Sequence, residues 1–435
     1  MGNDRYNVIV VGAGIAGITT AYLCAKSNLS VALIERGEFP GSKNMFGGVI
    51  YKDVMDQIIP AFWEEAPLER AITEDILWFM EQDSVVKMGF TGLRFAQAPY
   101  NKFTTIRSRF DQWYANKAEA VGVHLMTSTV VDDLIYEKKG ITRKKVSGVV
   151  LENGEKIYSE VVVLAEGIVG NLTQKAGLIK EKDTDSMVIY TKELLRLSVE
   201  KINDRFQLED NEGANIAVVG YPTSGVIGKG GIFINKDTIS IVVGAYLNQL
   251  INNGFNPYQL LARFKEHPLI KRLINGSESI EYQAKLIPKG NETDRPPLFS
   301  DGILIVGDAL MMASSQGTAF AIMSGKCAAE TVIQTSARGE FDKKNLSIYA
   351  EKLNQTYIMQ NIMSYKKSKD YYREFPDADL ILAKTINEIA YEFSNFNMTT
   401  IGEKTNLMVD EFKKIQPITK SIVDFYNGIR NWKVL

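Results

Sequence analysis

Apolar and polar positions along the chain switch between two regimes, and the N-terminal stretch shows the switch most clearly. Asn7–Val11 is a β-branched run apolar on both faces, the pattern of a strand buried in a parallel sheet. A glycine-rich turn follows, and Ile15–Lys26 then carries small and apolar residues at helical length. Val31–Ile34 is a second buried run. The pattern predicts strand, tight turn, helix and strand in that order.

Further along, Gly37–Gly48 is too glycine-rich and polar for a core element and predicts a loop. A helix is expected over roughly Ile106 to Ala120, opening at Arg107-Ser108-Arg109-Phe110-Asp111. Val146–Leu151 and Lys156–Leu164 flank Asn153-Gly154, a hairpin signal. The stretch from about Ser186 to Leu247 is rich in strands. Ile216–Val219, Gly231–Ile234 and Thr238–Val243 predict an antiparallel sheet with a turn at Asn235–Asp237. Asp301–Val306 reads as another buried strand and Gly317–Thr335 as a long alanine-rich helix. Helical patterning dominates from Lys343 onward, including Asp379–Phe393.

At 435 residues the chain exceeds one ordinary core. The expected fold class is α/β: a Rossmann-like binding domain assembled from residues 1–75, 103–180 and 290–340. An inserted antiparallel-sheet domain (76–102 and 181–289) and a helical C-terminal region (341–435) complete it. A formal net charge of −2, with both signs mixed along the chain, argues against nucleic acid as a partner. Only Cys24 and Cys327 occur, far apart and without a CxxC pair, so neither a disulfide framework nor an iron–sulfur or zinc site is expected in this chain. His124 and His267 alone do not make a histidine-rich metal centre. No run of about twenty apolar residues, the length needed to span a bilayer, is present. The N-terminus lacks the basic leader of a signal peptide. A reducing, cytoplasmic setting is expected.

The chemistry begins at Gly12-Ala13-Gly14-Ile15-Ala16-Gly17, a GxGxxG between the first strand and the helix. Its glycines serve a tight turn, close backbone approach to a pyrophosphate, and close packing of helix on strand. The helix N-terminus adds unpaired amides and the positive end of its dipole. Glu35 closes the next strand, where a carboxylate accepts from ribose hydroxyls and disfavours a 2′-phosphate. The choice between FAD and NAD turns on Gly307-Asp308-Ala309, at the end of a buried strand some three hundred residues later. A carboxylate there suits the ribityl hydroxyls of a flavin; the alternative is a helix-capping aspartate.

With both motifs in place the chain resembles the FAD-binding superfamily of the p-hydroxybenzoate hydroxylase and glutathione reductase type. Within it, the chain is similar to the FixC-type electron transfer flavoprotein–quinone oxidoreductases. The resemblance is carried by Ile34-Glu35-Arg36-Gly37, Gly41-Ser42-Lys43-Asn44-Met45-Phe46-Gly47-Gly48 and Arg107-Ser108-Arg109-Phe110-Asp111-Gln112-Trp113. Asp204–Leu208, Gly230–Ile234, Gly307-Asp308-Ala309 and Gly317–Lys326 extend it.

The resemblance implies that FAD is held by Gly12, Gly14, Ala16, Gly17, Glu35 and Arg36 on the nucleotide side. It implies that the loop with Lys43, Asn44, Gly47 and Gly48 passes beside the isoalloxazine ring, and that Arg107 contacts FAD near its phosphates. Val131, Ala165, Gly167, Gly307, Asp308, Gly317 and Thr318 complete the implied set. A solvated lysine and a surface salt bridge are the plainer readings of Lys43 and Arg107. Three departures stand out. Ala165-Glu166-Gly167 replaces the family's Ala-Asp-Gly, and the segment between Asp308 and Gly317 is several residues shorter. The four-cysteine cluster of the ubiquinone oxidoreductases is missing.

By the same resemblance, the partners are the alpha and beta subunits of electron transfer flavoprotein, a separate ferredoxin-like iron–sulfur protein, and a quinone (menaquinone or ubiquinone). The place is the inner face of the cell membrane, in peripheral contact, and an electron-bifurcating complex is one setting for it. No side chain is assigned as an acid–base catalyst, because the flavin carries the chemistry. Leu380-Ile381-Leu382 and Ile389 could line a quinone slot or pack as ordinary helix core. A geranylgeranyl-reductase-type reduction of prenyl lipids is the competing activity, although the Tyr-x-Trp-x-Phe-Pro pattern of that family's substrate sheet is missing. An aromatic hydroxylase and a purely electron-carrying subunit are further readings.

Overall fold

The computed structural model describes residues 5–43, 48–139, 143–179, 184–289, 295–312, 316–364, 371–396 and 398–431. Two packed units emerge, each from discontinuous segments. The first comprises Met1–Leu68, Thr105–Ser186 and Ile287–Met363; the second comprises Glu69–Thr104, Met187–Leu286 and Ser364–Leu435.

The first unit is built on the predicted parallel strands. Arg5–Val11 lies between Val31–Ile34 and Lys156–Leu164, and all three run parallel. His124–Met126 extends the sheet beyond Val31–Ile34, and Ile303–Ile305 extends it beyond Lys156–Leu164. Apolar residues on both faces of these strands are fully buried, as the sequence pattern requires: Val8, Ile9, Val10, Val162, Val163 and Leu304 have no exposed surface. The hairpin falls where Asn153-Gly154 predicts it, with Val150 opposite Lys156 and Gly154 at a φ of +85°. Ile15–Lys26 is a helix buried on nearly every side. The second predicted helix runs Arg107–Ala120, and the Tyr114 hydroxyl donates to Thr19 Oγ1 (2.9 Å), tying it to the first. The long helix spans Gly317–Ser336.

The second unit carries a sheet ordered Met187–Arg196, Thr238–Tyr246, Gly228–Ile234, Glu212–Gly220 and Leu68–Met80. Its pairings are antiparallel except that Glu212–Gly220 and Leu68–Met80 run parallel. Ile216, Val218, Ile232, Ile241 and Val243 bury one face under Ile202, Leu261, Phe264 and Ile270 of helices Val199–Phe206, Pro257–Glu266 and Pro268–Ile274. The alternate residues Leu77, Phe79 and Val219 pack against Leu382 and Ala383 of helix Ala378–Ser394. Asn387 of that helix donates to the Phe79 carbonyl (2.9 Å). Leu382 is thus helix–sheet core within its unit.

Arg70, only 1% exposed, staples this unit together. Its guanidinium donates to Asn203 Oδ1 (2.8 Å) and to the carbonyls of Glu209, Glu212 and Lys236 (each 3.0 Å). A buried cation is tolerable only where acceptors converge on it in this way, here on its two terminal nitrogens.

Candidate cofactor site

The predicted residues collect at the carboxyl ends of the parallel strands, the place where open α/β sheets bind ligands. Gly12 leaves the first strand with its N–H donated to Ile34 O (2.7 Å), while Ala165 N–H donates to Val11 O (2.8 Å). The turn is therefore clamped between two neighbouring strand ends. At Gly12 φ is +105°, and a Cβ there would stand 2.4 Å from Ala165 O. At Gly17 a Cβ would stand 2.0 Å from Gly12 O. Both positions admit only glycine, one for conformation and contact, the other for contact alone.

Gly14 caps the helix and supplies no side chain to it. The first intrahelical bond runs from Ile18 N–H to Gly14 O (2.9 Å), so the amides of Ile15, Ala16 and Gly17 precede the ladder. The Glu35 carboxylate lies beside this turn: Oε2 accepts from Ala13 N–H (2.8 Å) and Oε1 from Gly37 N–H (2.7 Å). Arg36 is exposed.

Ala16 joins the fingerprint to the distant Gly307-Asp308 motif. A Cβ on Gly307 would lie 3.0 Å from Ala16 Cβ, and one on Gly325 would lie 2.4 Å from Ala16 O. Gly307 has a φ of +65°, and its N–H donates to Ser324 Oγ (3.0 Å). Asp308 sits in the short 3₁₀ turn Gly307–Leu310, partly exposed. Thr318 at the start of the long helix donates to Val49 O (2.7 Å), and Gly317 beside it is exposed.

The glycine-rich loop is anchored at its first residues. Gly41, φ +89°, packs so closely that a Cβ would stand 2.8 Å from Arg107 O. Arg107 is 9% exposed and pairs with Asp111, itself fully buried, through Nε to Oδ1 and a terminal nitrogen to Oδ2, both 2.8 Å. The sequence alternative of a surface salt bridge is thus corrected to a buried bidentate one. Lys43 is exposed and Gly48 O accepts from Thr105 N–H (2.9 Å). Asn44 and Gly47 lie outside the described residues, as do residues 313–315 of the shortened segment. Val131 opens a strand opposite Leu151.

Sequence reasoning missed the part played by Glu166. Its carboxylate accepts from the N–H groups of Leu172 (2.9 Å) and Thr173 (2.8 Å) and from the Thr173 hydroxyl (2.5 Å). It therefore caps the short helix Asn171–Lys175, reached over a chain reversal at Gly167 and Gly170 that holds both in positive φ. The glutamate arm spans that reversal. Ser42 and Thr105 were missed as well. Their buried hydroxyls have no hydrogen-bond partner among the described residues; Ser42 lies in the glycine-rich loop and Thr105 pairs with its last residue, Gly48. Buried hydroxyls of that kind ordinarily find a partner. Cys24 and Cys327 are buried, which pushes their thiols up to about 12 and about 11, so neither is a reactive thiolate. No group of three or more potential metal ligands occurs among the described residues.

A side-chain-free turn, three amides ahead of a helix ladder, a carboxylate beside the turn and orphaned hydroxyls by the loop fit a dinucleotide with a polar ring system. Residues 7–78 match the family model described as "FAD dependent oxidoreductase". The protein is an FAD-dependent oxidoreductase with FAD as its cofactor. It is 34% identical to Protein FixC of Bradyrhizobium diazoefficiens over 99% of both chains. It is 33% identical to the probable electron transfer flavoprotein-quinone oxidoreductase YdiS of Escherichia coli, over 97% of this chain and 95% of that one. The chain belongs to the FixC family.

Among solved structures, a geranylgeranyl bacteriochlorophyll reductase-like protein from Thermoplasma acidophilum superposes with a TM-score of 0.72 at 16% identity, covering 95% of this chain and 98% of that one. PqsL, a probable FAD-dependent monooxygenase from Pseudomonas aeruginosa, gives 0.61 at 16% identity over 88% and 100%. These likenesses establish the expected flavoprotein fold.

Proposed function

We propose that the chain oxidises reduced electron transfer flavoprotein and reduces a membrane quinone. The observation that carries this reading is similarity over nearly the whole chain to a protein named for that activity, together with a cradle fitted to the cofactor. Bound FAD supplies a ring system that takes up one or two electrons. The chain's own residues bind and orient it. The turn at Gly12, Gly14, Ala16 and Gly17 presents amides to the pyrophosphate, Glu35 takes the ribose hydroxyls, and Asp308 the ribityl chain. Arg107, held by Asp111, keeps a fixed cation at the base of the loop that carries Lys43, Asn44, Gly47 and Gly48. Arg36, Val131, Ala165, Gly167, Gly317 and Thr318 border the same cofactor.

The chain has two cysteines, too few for a four-cysteine cluster, and its likeness to the FixC type supports a separate ferredoxin-like iron–sulfur protein as the partner. An electron-bifurcating complex is a setting consistent with that division of labour. No helix among the described residues is long and apolar enough to cross a membrane. The proposed contact with the inner face of the cell membrane is a peripheral one. The fold likeness to a geranylgeranyl-reductase-like protein keeps prenyl-lipid reduction as the second reading. Mixing the purified chain with reduced electron transfer flavoprotein tests the first: transfer at a rate above that of free FAD is expected. No transfer, with turnover on a prenylated lipid instead, would favour the second.

A further inference from the structure

In the first unit, strands Val131–Lys139 and Arg143–Leu151 form an antiparallel ribbon whose tip concentrates positive charge. From Lys138 to Lys145 the sequence holds five basic residues and no acidic one, in a chain of net charge −2. The backbone register sets Lys138 opposite Lys144 and Lys139 opposite Arg143. Like charges opposite one another on paired strands are destabilising, so the arrangement costs the fold stability. The ribbon's own acids lie nearer its base: Asp132 is paired with Lys175 (2.7 Å), and Glu137 stands opposite Lys145. Lys138 and Lys144 are exposed. The Lys144 ammonium lies 6.0 Å from the centroid of the Tyr136 ring, itself 42% exposed.

The cations near the tip are held in place. Val146 N–H donates to Asp301 O (3.0 Å), and Lys145 Nζ stands 5.5 Å from the centroid of the buried Phe341 ring. Exposed Lys343 and Lys344, just beyond Phe341, extend the positive surface. The acids beside them, Asp342 and Glu340, accept from Asn345 (3.0 and 3.1 Å). Asp301 precedes strand Ile303–Ile305, so this end of the ribbon lies at the amino end of the parallel sheet, whereas the cofactor cradle lies at the carboxyl end.

We propose that the ribbon is a docking arm for a carboxylate-rich face of electron transfer flavoprotein. This rests on the electron-transfer reading and names the surface that holds the partner. Nucleic acid, with a charge about every 1.7 Å of duplex, calls for a broad basic face that a chain of net charge −2 lacks. Fluid lipid headgroups gain nothing from cations fixed in register beside an exposed tyrosine, whereas a protein face rewards both. A redox partner also has to be captured quickly and released, and charge steering speeds association without a large interface. Standing at the far end of the sheet from the cradle, the arm holds the partner and leaves the electron path to other contacts.

The test is equilibrium binding of the flavin-loaded full chain to purified electron transfer flavoprotein, at low and high salt. K138E/K144E is compared with the natural chain and with K413E/K414E, which makes the same charge change on exposed lysines of helix Ile401–Ile415 in the second unit. The natural chain should bind at low salt and about tenfold more weakly at high salt. At low salt K138E/K144E should bind about tenfold more weakly, and K413E/K414E like the natural chain. Single K144E sets opposite charges across the ribbon, so its melting temperature should hold or rise while its binding falls. No binding by the natural chain, or equal binding by all the variants, would overturn the proposal. So would a natural chain that passes over the flavoprotein and holds phosphatidylglycerol vesicles or duplex DNA through Lys138 and Lys144. Bleaching of the flavin by the reduced flavoprotein, followed in parallel, separates the two readings: binding without bleaching counts against electron transfer and leaves the docking result intact.

Discussion

The carboxylate of Glu35 accepts a hydrogen bond from the backbone N–H of Ala13 at 2.8 Å, joining the end of the second strand to the middle of the fingerprint turn. One side chain thereby sets the shape of the turn while remaining a negative group beside it. In Glu35→Gln an amide replaces one of the two accepting oxygens, so either the Ala13 or the Gly37 N–H loses its partner. FAD titration of the apoprotein should show affinity reduced by about ten- to a hundredfold. Gly12→Ala should be harsher, since its Cβ would fall 2.4 Å from Ala165 O. It is expected to yield flavin-free or insoluble protein.

Glu166 makes a separate prediction, because its three hydrogen bonds serve a helix cap. Glu166→Ala should lower stability by about 1–2 kcal/mol in denaturant unfolding. The flavin spectrum of the folded protein should persist. Loss of flavin with unchanged stability would assign Glu166 to the cofactor instead.

Removing one partner of the Arg107–Asp111 pair should be worse than removing both. Asp111→Ala removes the carboxylate that balances a buried guanidinium, with an expected cost of about 3–5 kcal/mol. Arg107→Met combined with Asp111→Leu should recover much of that stability while weakening FAD binding. Equal stability of the single and double variants would show that the buried charge is not what matters.

His267 gives the fold a pH dependence. It is fully buried, its Nδ1 accepts from Leu269 N–H (3.3 Å), and its Nε2 faces Glu81 O (2.8 Å). That arrangement needs a neutral ring with the proton on Nε2. Burial accordingly holds its pKa below the ordinary histidine value of 6.5. A folded pKa below the unfolded one means that its stabilising contribution is complete above about 6.5 and lost as pH falls through the folded value. Unfolding midpoints measured across that range should fall on acidification, and His267→Asn should flatten the curve.

Much of the first unit was legible because its signals are local. A β-branched run, glycines at fixed spacing and an acidic residue one strand later specify strand, turn, helix and carboxylate without reference to the rest of the chain. Gly307-Asp308 was legible for the same reason. Leu68–Met80 was not read as a long strand because Glu69, Arg70, Thr73, Glu74 and Asp75 interrupt its apolar pattern. Arg70 is buried only because four acceptors from distant segments converge on it, and no single-sequence signal announces that. Ile418–Asn431 defeated the rule that apolar faces turn inward, since Asp424 is buried against Tyr371, Gln416 and Lys420 while Ile422 is exposed. Nothing in the basic stretch around His267 announces the helix cap and the Glu81 carbonyl that enclose its ring.

The most direct measurement is the anaerobic absorbance spectrum of the purified chain, taken alone, after reduced electron transfer flavoprotein, and again after a menaquinone analogue. The prediction is an FAD spectrum that bleaches with the flavoprotein and returns with the quinone. A bound flavin that ignores both and is reoxidised by a prenylated lipid would contradict the assigned reaction.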